Sequence, residues 1–463
     1  MPRITFGIHF KEKNMENGRM RISDEFYSEM KSAALRIKTD EPLRNSILNM
    51  GLDETALNHA SKINMQHTFS HDLKTGKITA QNKSGRCWLF AGLNTMRHKI
   101  IEDLNLVDFE LSQSYQMFFD KVEKANYFLE NIIDTIEEDT DSRVVMWLLS
   151  SPLIDGGQWD MFTSIVEKYG VVPKSAMPET YHSSNSARMN RILTLKVREY
   201  ASILREMQSN GRGISELRSE KKKMLIEFYR LCTMFLGIPP AEFTFEYTDK
   251  ERKFHRDACI TPMEFYQKYI GIDLGSYVSV INSPTGDKPF NRTYTVQYLG
   301  NIEGGNLVTY LNVEMSVLKD MVQRQLMDGI PVWFGCDVGK YSSRDQGILD
   351  MDIYDYEGVL RTEFNLDKAG RLDYGESIMT HAMVFTGVNI RDDGSPDRWK
   401  VENSWSDKYG DKGYFVMSDS WFEEFAYQAV ISRKYLSDEQ KEVLKTEPIV
   451  LNPWDPMGSL ALH

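Results

Sequence analysis

The sequence predicts an α+β protein in which helices come first and strands come last. Long segments with apolar residues at helical spacing fill the first half of the chain. Short β-branched and aromatic runs, bounded by Gly, Asn or Asp, follow from about Val278. With 463 residues, the chain is long enough for two to four domains, or for one fold with large insertions.

The composition is typical of a globular protein with an acidic surface. Hydrophobic residues make up 41% and charged residues 26%, and the formal net charge is −12. This charge argues against a chain built mainly to bind nucleic acid or an anionic membrane. The N-terminus lacks the apolar run of a secretory signal, and no apolar stretch is long enough to cross a bilayer. We therefore expect a cytoplasmic protein.

The cysteines are too few and too scattered for a disulfide framework. They are Cys87, Cys232, Cys259 and Cys336, and no CxxC pair indicates zinc or redox chemistry. We expect free thiols, no metal and no cofactor.

The helical half contains five recognisable parts. Residues 1–20 carry mixed charge without a sustained period, which predicts an extension, and residues 26–60 have a helical pattern. A helix over 86–104 follows, and a further one begins after Leu111-Ser-Gln-Ser, where a hydroxyl can cap it. Between 188 and 236 the helical period is interrupted once by a Gly-rich turn, which predicts a helical hairpin.

The second half contains strand-like runs rich in β-branched and aromatic residues. They lie at 293–298, 307–311, 331–335, 381–386 and 399–403. Together they predict a β-rich region that follows the helical one.

Cys87 opens the helix predicted over 86–104, directly after Ser84-Gly-Arg. The helix dipole and the unpaired N–H groups of a helix start favour a thiolate over a thiol, and a thiolate is a strong nucleophile. The alternative is a structural Cys, because free cysteines are among the most buried residues.

A thiolate nucleophile needs a base, and that base needs an orienting partner. His381 begins a strand-like run after a polar loop, which would place its imidazole at a strand end beside a cleft. Asn403 can accept a hydrogen bond from this imidazole and fix its tautomer, and Trp405 can shield that bond from water. A structural histidine is the alternative for His381.

These motifs resemble those of the papain-like cysteine peptidases. Ser84-Gly-Arg-Cys-Trp88 resembles the family's C-G-[SA]-C-[WY] signature, and Leu111-Ser-Gln-Ser resembles its LSEQ helix start. Gln81 stands where the family has its oxyanion-hole glutamine, and Gly156-Gly157 resembles the glycine pair that binds substrate backbone. The motifs also follow one another in the family's order.

The resemblance implies a two-lobe fold, with a helical lobe and a β-barrel-like lobe, and it assigns roles to the site residues. Cys87 would be the nucleophile, His381 the base and Asn403 its orienting partner. Gln81 and the Cys87 N–H would stabilise the oxyanion. Substrate contacts are expected at Gly156, Gly157, Trp405 and Ala461.

Two departures from the family pattern are informative. Ser84 replaces the first Cys of the signature, so the disulfide of secreted members cannot form. The interval from Cys87 to His381 is about twice the 130–150 residues that are usual. The surplus implies a large insertion, with the hairpin near 188–236 as its core.

A papain-like chain with such an insertion and no secretory signal resembles the bleomycin hydrolase branch, the bacterial aminopeptidase C group included. This implies a thiol aminopeptidase that forms a homohexamer. It also implies a C-terminal arm whose carboxylate holds the substrate's N-terminal ammonium. The ending Leu460-Ala-Leu-His463 runs slightly past the family's usual stop, so we expect the enzyme to remove Leu462-His463 itself.

We predict five parts of the chain. They are an N-terminal extension (1–20), a helical lobe carrying Cys87 (21–175), an inserted helical domain (176–277), a β-rich lobe carrying His381 and Asn403 (278–446), and a C-terminal arm that reaches the active-site cleft (447–463).

Peptides or aminoacyl amides are the expected substrates, and three other functions stay open. A cathepsin-like endopeptidase and a thiol acyltransferase would use the same nucleophile. A non-catalytic nucleic-acid-binding assembly would use the basic run Lys221–Lys223. A solvated helix face is the ordinary explanation of such a run.

Overall fold

A computed structural model of the chain describes residues 15–16, 19–37 and 40–462. The extension predicted over 1–20 therefore lies mostly outside the described residues, and His463 does too. The chain divides into two compact units, one of residues 1–57 with 354–364, the other of residues 58–353 with 365–463.

The helices confirm the α part of the predicted fold. The α-helices of the described residues are α1 (Asp24–Arg36), α2 (Glu41–Met50), α3 (Leu52–Ala56), α4 (His59–Asn64), α5 (Cys87–Asp103), α6 (Gln113–Asp134), α7 (Arg143–Ser150), α8 (Trp159–Tyr169), α9 (Tyr181–Ser184), α10 (Ala187–Ser209), α11 (Ile214–Leu236), α12 (Pro262–Tyr269), α13 (Met315–Met327), α14 (Tyr356–Leu360), α15 (Lys368–Asp373), α16 (Asp419–Phe425) and α17 (Asp438–Val443). Within this part of the chain, no helix has the length and apolarity that a membrane crossing requires.

The strands are concentrated in the second half, as predicted. They are β1 (Met15–Glu16), β2 (Arg19–Met20), β3 (His71–Asp72), β4 (Phe243–Thr248), β5 (Phe254–Ile260), β6 (Tyr277–Ile281), β7 (Arg292–Val296), β8 (Tyr310–Asn312), β9 (Val332–Cys336), β10 (Ser342–Ser343), β11 (Ile348–Leu349), β12 (His381–Ile390), β13 (Pro396–Glu402), β14 (Tyr414–Ser418), β15 (Ala426–Ser432) and β16 (Ile449–Leu451).

The smaller unit contains α1, α2, α3 and α14 with the short antiparallel pair β1–β2. Ser23 caps α1, where its hydroxyl accepts a hydrogen bond from the Phe26 N–H at 3.2 Å. An isolated bridge between Leu57 and Tyr354, and a hydrogen bond from the Tyr356 hydroxyl to Asp53 at 2.7 Å, join its two chain segments.

In the larger unit, α5 and α6 form much of the helical core. Met96 and Ile100 on α5 are fully buried, as are Phe118 and Leu129 on α6. The hydroxyl of Ser112 accepts the Tyr115 N–H at 3.1 Å and caps α6, as the sequence predicts.

The predicted helical hairpin is present as α10 and α11. Leu193 and Phe228, one on each helix, belong to its apolar stripe and are fully buried. The basic run lies on α11, where the Lys221 ammonium is buried and pairs with Glu130. Lys223 pairs with Glu220 at 2.7 Å.

One large mixed sheet positions the β-borne site residues. Its order within the described residues is β10-β11-β14-β13-β12-β9-β15-β6-β8-β7-β16, with β3 paired to β12. The strand β12 lies between β13 and β9, and α5 packs against it. His381 is the first residue of β12 and Asn403 directly follows β13, so two neighbouring strands present them at one edge.

The strand predicted over 307–311 is wrong at its start, because β8 begins only at Tyr310. Leu307 is exposed, and its carbonyl accepts the Thr309 hydroxyl at 3.2 Å instead of joining the ladder. The boundaries predicted at 20, 175, 277 and 446 stay predictions.

Candidate active site

Cys87 is the first residue of α5, and the N-cap residue Arg86 gives this helix no side-chain cap. The N–H groups of Leu89 and Phe90 donate to the Arg86 carbonyl at 3.0 Å, which leaves those of Cys87 and Trp88 for the thiol. The backbone N–H groups of Ala382, Trp88 and Cys87 lower the pKa of the thiol. Burial acts in the opposite direction and dominates, raising the pKa of Cys87 to about 11.

The helix terminus alone predicts a lowered pKa for the Cys87 thiol, whereas burial raises it. The Cys87 side chain is only 4% exposed, so the cost of removing a thiolate from water exceeds the gain from the dipole. In the proposed reaction, a protonated thiol of this kind needs a base at the moment of attack.

The hydrogen bonds of Asn403 determine the tautomer of His381. The His381 Nε2 lies 2.9 Å from Asn403 Oδ1, and that oxygen also accepts the Ser404 N–H at 2.7 Å. A backbone N–H can only donate, so the amide atom facing it is the oxygen. Nε2 of His381 therefore carries the proton, and Nδ1 holds the free lone pair that a base requires.

The surroundings of His381 keep it neutral. Burial lowers the pKa of His381 to about 4, with a further lowering from the charge of Arg344, and the Asn403 hydrogen bond opposes both. Trp405 packs on the imidazole with ring centroids 4.8 Å apart, where the sequence predicted a shield. The guanidinium of Arg344 lies 4.7 Å from the Trp405 ring centre on its face.

The structure brings the thiol and the imidazole to one place. The N–H that reaches the Cys87 sulfur belongs to Ala382, the residue directly after His381. The pKa values of about 4 for His381 and about 11 for Cys87 bound a wide pH range. Within it, the thiol and the imidazole share one proton that can move between them, in addition to the proton fixed on Nε2 of His381.

Gln81 belongs to the loop that precedes Cys87 and connects it by hydrogen bonds to the loop that contains Asn403. Its Oε1 accepts the Ser404 hydroxyl at 2.6 Å, and its Nε2 donates to the Ser84 carbonyl at 2.6 Å. The backbone N–H of Gln81 also donates to the Ser404 carbonyl at 2.8 Å. An amide nitrogen has two hydrogens, so one N–H remains for an oxyanion.

The predicted glycine pair has a packing reason as well as a proposed substrate role. A Cβ on Gly157 would lie 2.5 Å from the Trp88 ring, so only glycine fits there. The carbonyl of Gly156 accepts the Lys124 ammonium at 2.6 Å. The N–H and C=O of Gly157 make no hydrogen bond to another described residue, and a substrate role for this glycine pair stays a prediction.

The C-terminal segment crosses the region between Gly157 and His381. The Met457 carbonyl accepts the Tyr310 hydroxyl at 3.0 Å and the Gln158 amide at 3.4 Å. The Ser459 hydroxyl donates to the carbonyl of Met379, two residues before His381, at 2.8 Å.

Leu460 and Ala461 are buried beyond these anchors. Ala461 borders a cavity of about 70 Å³ whose walls include Lys124, Trp147, Ile154 and Leu299. The Leu462 side chain and His463 lie outside the described residues, so self-removal of these two residues stays a prediction.

Sequence reasoning missed three polar contacts around the site. Asp155 and Glu179 bind the loop that precedes Cys87, and Ser404 bridges Asn403 to Gln81. Of these, Asp155 and Ser404 stand directly beside motif residues, so their position next to Gly156 and Asn403 was a usable signal. Glu179 has no motif beside it.

No three His, Cys, Asp or Glu side chains of the described chain are grouped as a metal site.

The sequence matches a family model described as the Peptidase C1-like family over residues 22–458. The chain belongs to the Peptidase C1-like family.

Individual relatives in the Peptidase C1-like family agree with this membership. Aminopeptidase C of Listeria monocytogenes is 53% identical over 417 residues, which span 90% of this chain and 94% of that protein. Bleomycin hydrolase of Homo sapiens is 44% identical over 88% of this chain and 92% of its own.

A solved relative confirms the papain-like α+β fold. The crystal structure of PepW from Lactobacillus rhamnosis HN001 superposes with a TM-score of 0.93 at 49% identity, covering 95% of this chain and 99% of that one. The resemblance predicted from the motifs is therefore confirmed at the level of family and fold.

Proposed function

We propose that this chain is a cytoplasmic thiol aminopeptidase that removes N-terminal residues from peptides and hydrolyses related aminoacyl amides. The similarity to aminopeptidase C and bleomycin hydrolase supports the class of reaction. The observation that supports the exopeptidase part is the C-terminal segment, in which the Met457 carbonyl accepts the Gln158 amide beside Gly157 and the Ser459 hydroxyl donates to Met379, two residues before His381.

The neutral thiol and the neutral imidazole define the first step. Nδ1 of His381 accepts the Cys87 proton while the sulfur bonds to the substrate's carbonyl carbon. The negative charge that develops on the carbonyl oxygen is stabilised by the Cys87 N–H and the free N–H of Gln81.

Collapse of this intermediate breaks the C–N bond, and the imidazolium of His381 gives its proton to the leaving amine. A thioester between Cys87 and the substrate's N-terminal residue remains. Water then attacks the thioester carbon while His381 takes a proton from it, which releases the amino acid and restores the thiol. Throughout, Asn403 holds the ring in one plane.

The buried end of the chain would set how much substrate fits before the scissile bond. Met457 and Ser459 are fixed by hydrogen bonds to Tyr310 and Met379, and Lys288 pairs with Asp455 at 2.9 Å just before them. A terminal carboxylate beyond Ala461 would pair with the substrate's ammonium and exclude longer N-terminal extensions.

We include self-association as a homohexamer in the proposal. Exposed apolar side chains cluster on α10 and α11 and just beyond, where Leu195, Ile226, Met234 and Ile238 are between 64% and 78% exposed. A monomer would leave this surface in water, whereas a partner copy would bury it. The buried Lys221–Glu130 pair, by contrast, weakens the nucleic-acid alternative.

A panel of fluorogenic aminoacyl amides and their N-blocked twins tests the function. We expect the full chain to cleave only the substrates with a free amine, and we expect Cys87→Ala to cleave neither. A chain that ends at Gly458 keeps the Asp455 anchor but lacks the buried end, and it should gain cleavage of N-blocked substrates.

Equal cleavage of both substrate classes by the full chain would favour the endopeptidase alternative. Activity in the Cys87→Ala variant would contradict the mechanism altogether.

A further inference from the structure

We propose that the segment 179–190, at the start of the predicted insertion, is a positioning element for the catalytic loop. It holds residues 83–86 so that the Cys87 N–H points at the oxyanion. This inference rests on the proposed function, because it states that part of the insertion raises the rate of the proposed peptidase reaction.

The backbone of Lys83 forms a short parallel bridge with this segment. The Lys83 N–H donates to the Ser184 carbonyl at 3.0 Å, and the Ser186 N–H donates to the Lys83 carbonyl at 3.2 Å. The chain four residues before the nucleophile is therefore fixed as one rung of a β-ladder.

Asp155 connects the next part of the loop to α10. Its Oδ2 accepts the Gly85 N–H at 3.0 Å and the Ser186 hydroxyl, while its Oδ1 accepts the Asn190 amide at 2.8 Å. The Lys121 ammonium, 2.8 Å away, balances the charge of the carboxylate. Although burial opposes ionisation, this ion pair and the hydrogen bonds hold the pKa of Asp155 well below its usual range.

Arg86 provides the third attachment, directly before the nucleophile. Its guanidinium is fully buried and makes a bidentate pair with Glu179, with N–O distances of 2.9 and 2.8 Å. Its Nε also donates to the Ser84 hydroxyl at 2.9 Å, and the Ser183 hydroxyl donates to Glu179 at 2.7 Å. Planar bidentate pairs fix direction as well as distance.

These attachments converge on the residue whose N–H serves the oxyanion. Lys83, Gly85 and Arg86 are each held by a separate polar contact, and Cys87 follows at once. A misplacement of about 1 Å in a reacting group can cost about 10²-fold in rate. The segment therefore acts on turnover through the loop without touching substrate, so its members are positioning residues.

Kinetics of Glu179→Gln and Asn190→Ala test the proposal. We expect kcat to fall about 10- to 100-fold, less than or equal to the 10²–10³-fold loss typical of a deleted oxyanion donor. We expect KM to change less than about threefold, since neither side chain contacts substrate. Asn190→Ala removes one hydrogen bond and leaves the Arg86 pair intact, so it keeps the test valid where Glu179→Gln fails to fold.

Glu227→Gln is the matched control on the same hairpin. Glu227 accepts the Tyr200 hydroxyl at 2.9 Å and lies 3.4 Å from the Lys196 ammonium, and it has no contact with the loop. The control should alter Tm as the test variants do but keep the wild-type kcat.

A double-mutant cycle measures the coupling between Arg86 and Glu179 in kcat, which a merely structural role would leave unchanged. If Arg86 and Glu179 act as one unit, Arg86→Ala with Glu179→Ala should lower kcat no more than the worse single variant. Arg86→Lys, which keeps the charge but not the bidentate geometry, should recover only part of the loss.

Wild-type kcat in folded Glu179→Gln and Asn190→Ala would overturn the proposal, as would equal losses in Glu227→Gln. Cys87→Ala separates this result from the proposed function. An inactive Cys87→Ala beside fully active positioning variants contradicts only the role of 179–190. An active Cys87→Ala contradicts the proposed function itself.

Discussion

At Cys87 and His381, burial acts in opposite directions on the two protonation equilibria. It raises the pKa of the thiol to about 11 and lowers that of the imidazole to about 4. Each shift favours the uncharged form of its group, which is why the proposed reaction starts from a neutral thiol and a neutral imidazole. The helix N–H groups act against this effect of burial, because they lower the pKa of the Cys87 thiol.

The pH dependence of kcat/KM should reflect this arrangement. The imidazole can accept a proton until the pH falls through about 4, so the acid limb should lie near that value. The alkaline limb should come from the substrate's amine, whose pKa is about 8, and not from a thiol near pH 11. Substrates with different amine pKa values provide the measurement.

We expect the alkaline limb to move with the amine's pKa while the acid limb stays constant. An alkaline limb that is the same for every substrate would contradict recognition of the ammonium.

Replacing Asn403 with a carboxylate should change the base itself. In Asn403→Asp the oxygen that accepts the Ser404 N–H and the His381 Nε2–H is kept, but it gains negative charge. A nearby negative charge favours the imidazolium and raises its pKa. The acid limb of kcat/KM should therefore move to higher pH, and an unchanged limb would show that Asn403 does not contact His381.

At the scale of elements, a buried ion pair joins the helix of the nucleophile to the strand before Asn403. Arg97 on α5 lies 2.5 Å from Glu402 at the end of β13, and both side chains are almost fully buried. The Arg97 guanidinium also donates to the Lys77 carbonyl at 2.7 Å. This contact fixes the spacing between the elements that carry Cys87 and Asn403.

Removing one member of the pair should destabilise the protein strongly. Arg97→Met leaves the Glu402 carboxylate buried without a partner, which typically costs about 3–5 kcal/mol. The double variant Arg97→Met with Glu402→Met should recover most of this loss, because no uncompensated charge remains. Urea unfolding of both variants measures the difference, and a double variant less stable than Arg97→Met would contradict it.

Local sequence signals predicted the elements well where the local pattern decides the structure. The start of α5 at Cys87, the Ser112 cap of α6 and the α10–α11 hairpin all follow from caps and periodicity. The start of β8 does not follow from such signals, because the run 307–311 has a strand-like composition but its first residues have no partner strand beside them. Pairing is a tertiary property, and composition alone does not contain it.

The same limit applies to the site. Motif order was enough to select Cys87, His381 and Asn403, because a family resemblance carries those residues. The bond from Gly85 to Asp155 joins positions 70 apart, and the one from Arg86 to Glu179 joins positions 93 apart. Contacts at such separations depend on how the insertion folds back, and no local pattern reports that.

At the scale of the whole molecule, the exposed apolar surface of α10 and α11 predicts self-association. Ile226 is 73% exposed, and Met234, about two helical turns further along α11, is 70% exposed. Ile226→Lys should shift the assembly toward smaller species, since a buried unpaired ammonium is costly. Light scattering coupled to size exclusion measures the mass, and Lys223→Ala on the same helix is the matched control.

A hexamer in both variants would show that this surface is not the interface. A monomeric wild type would contradict the proposed assembly.

The hydrogen bonds that fix Met457 and Ser459 also make residues 457–459 a tethered segment, which in the proposed function occupies part of the substrate site. A segment joined by a short linker has an effective concentration in the millimolar range, and dilution of the protein does not change it. A free peptide copied from this segment would have to exceed that concentration to compete. Under the proposed function, substitutions at these terminal residues should change which substrates bind, while the chemistry at Cys87 stays the same.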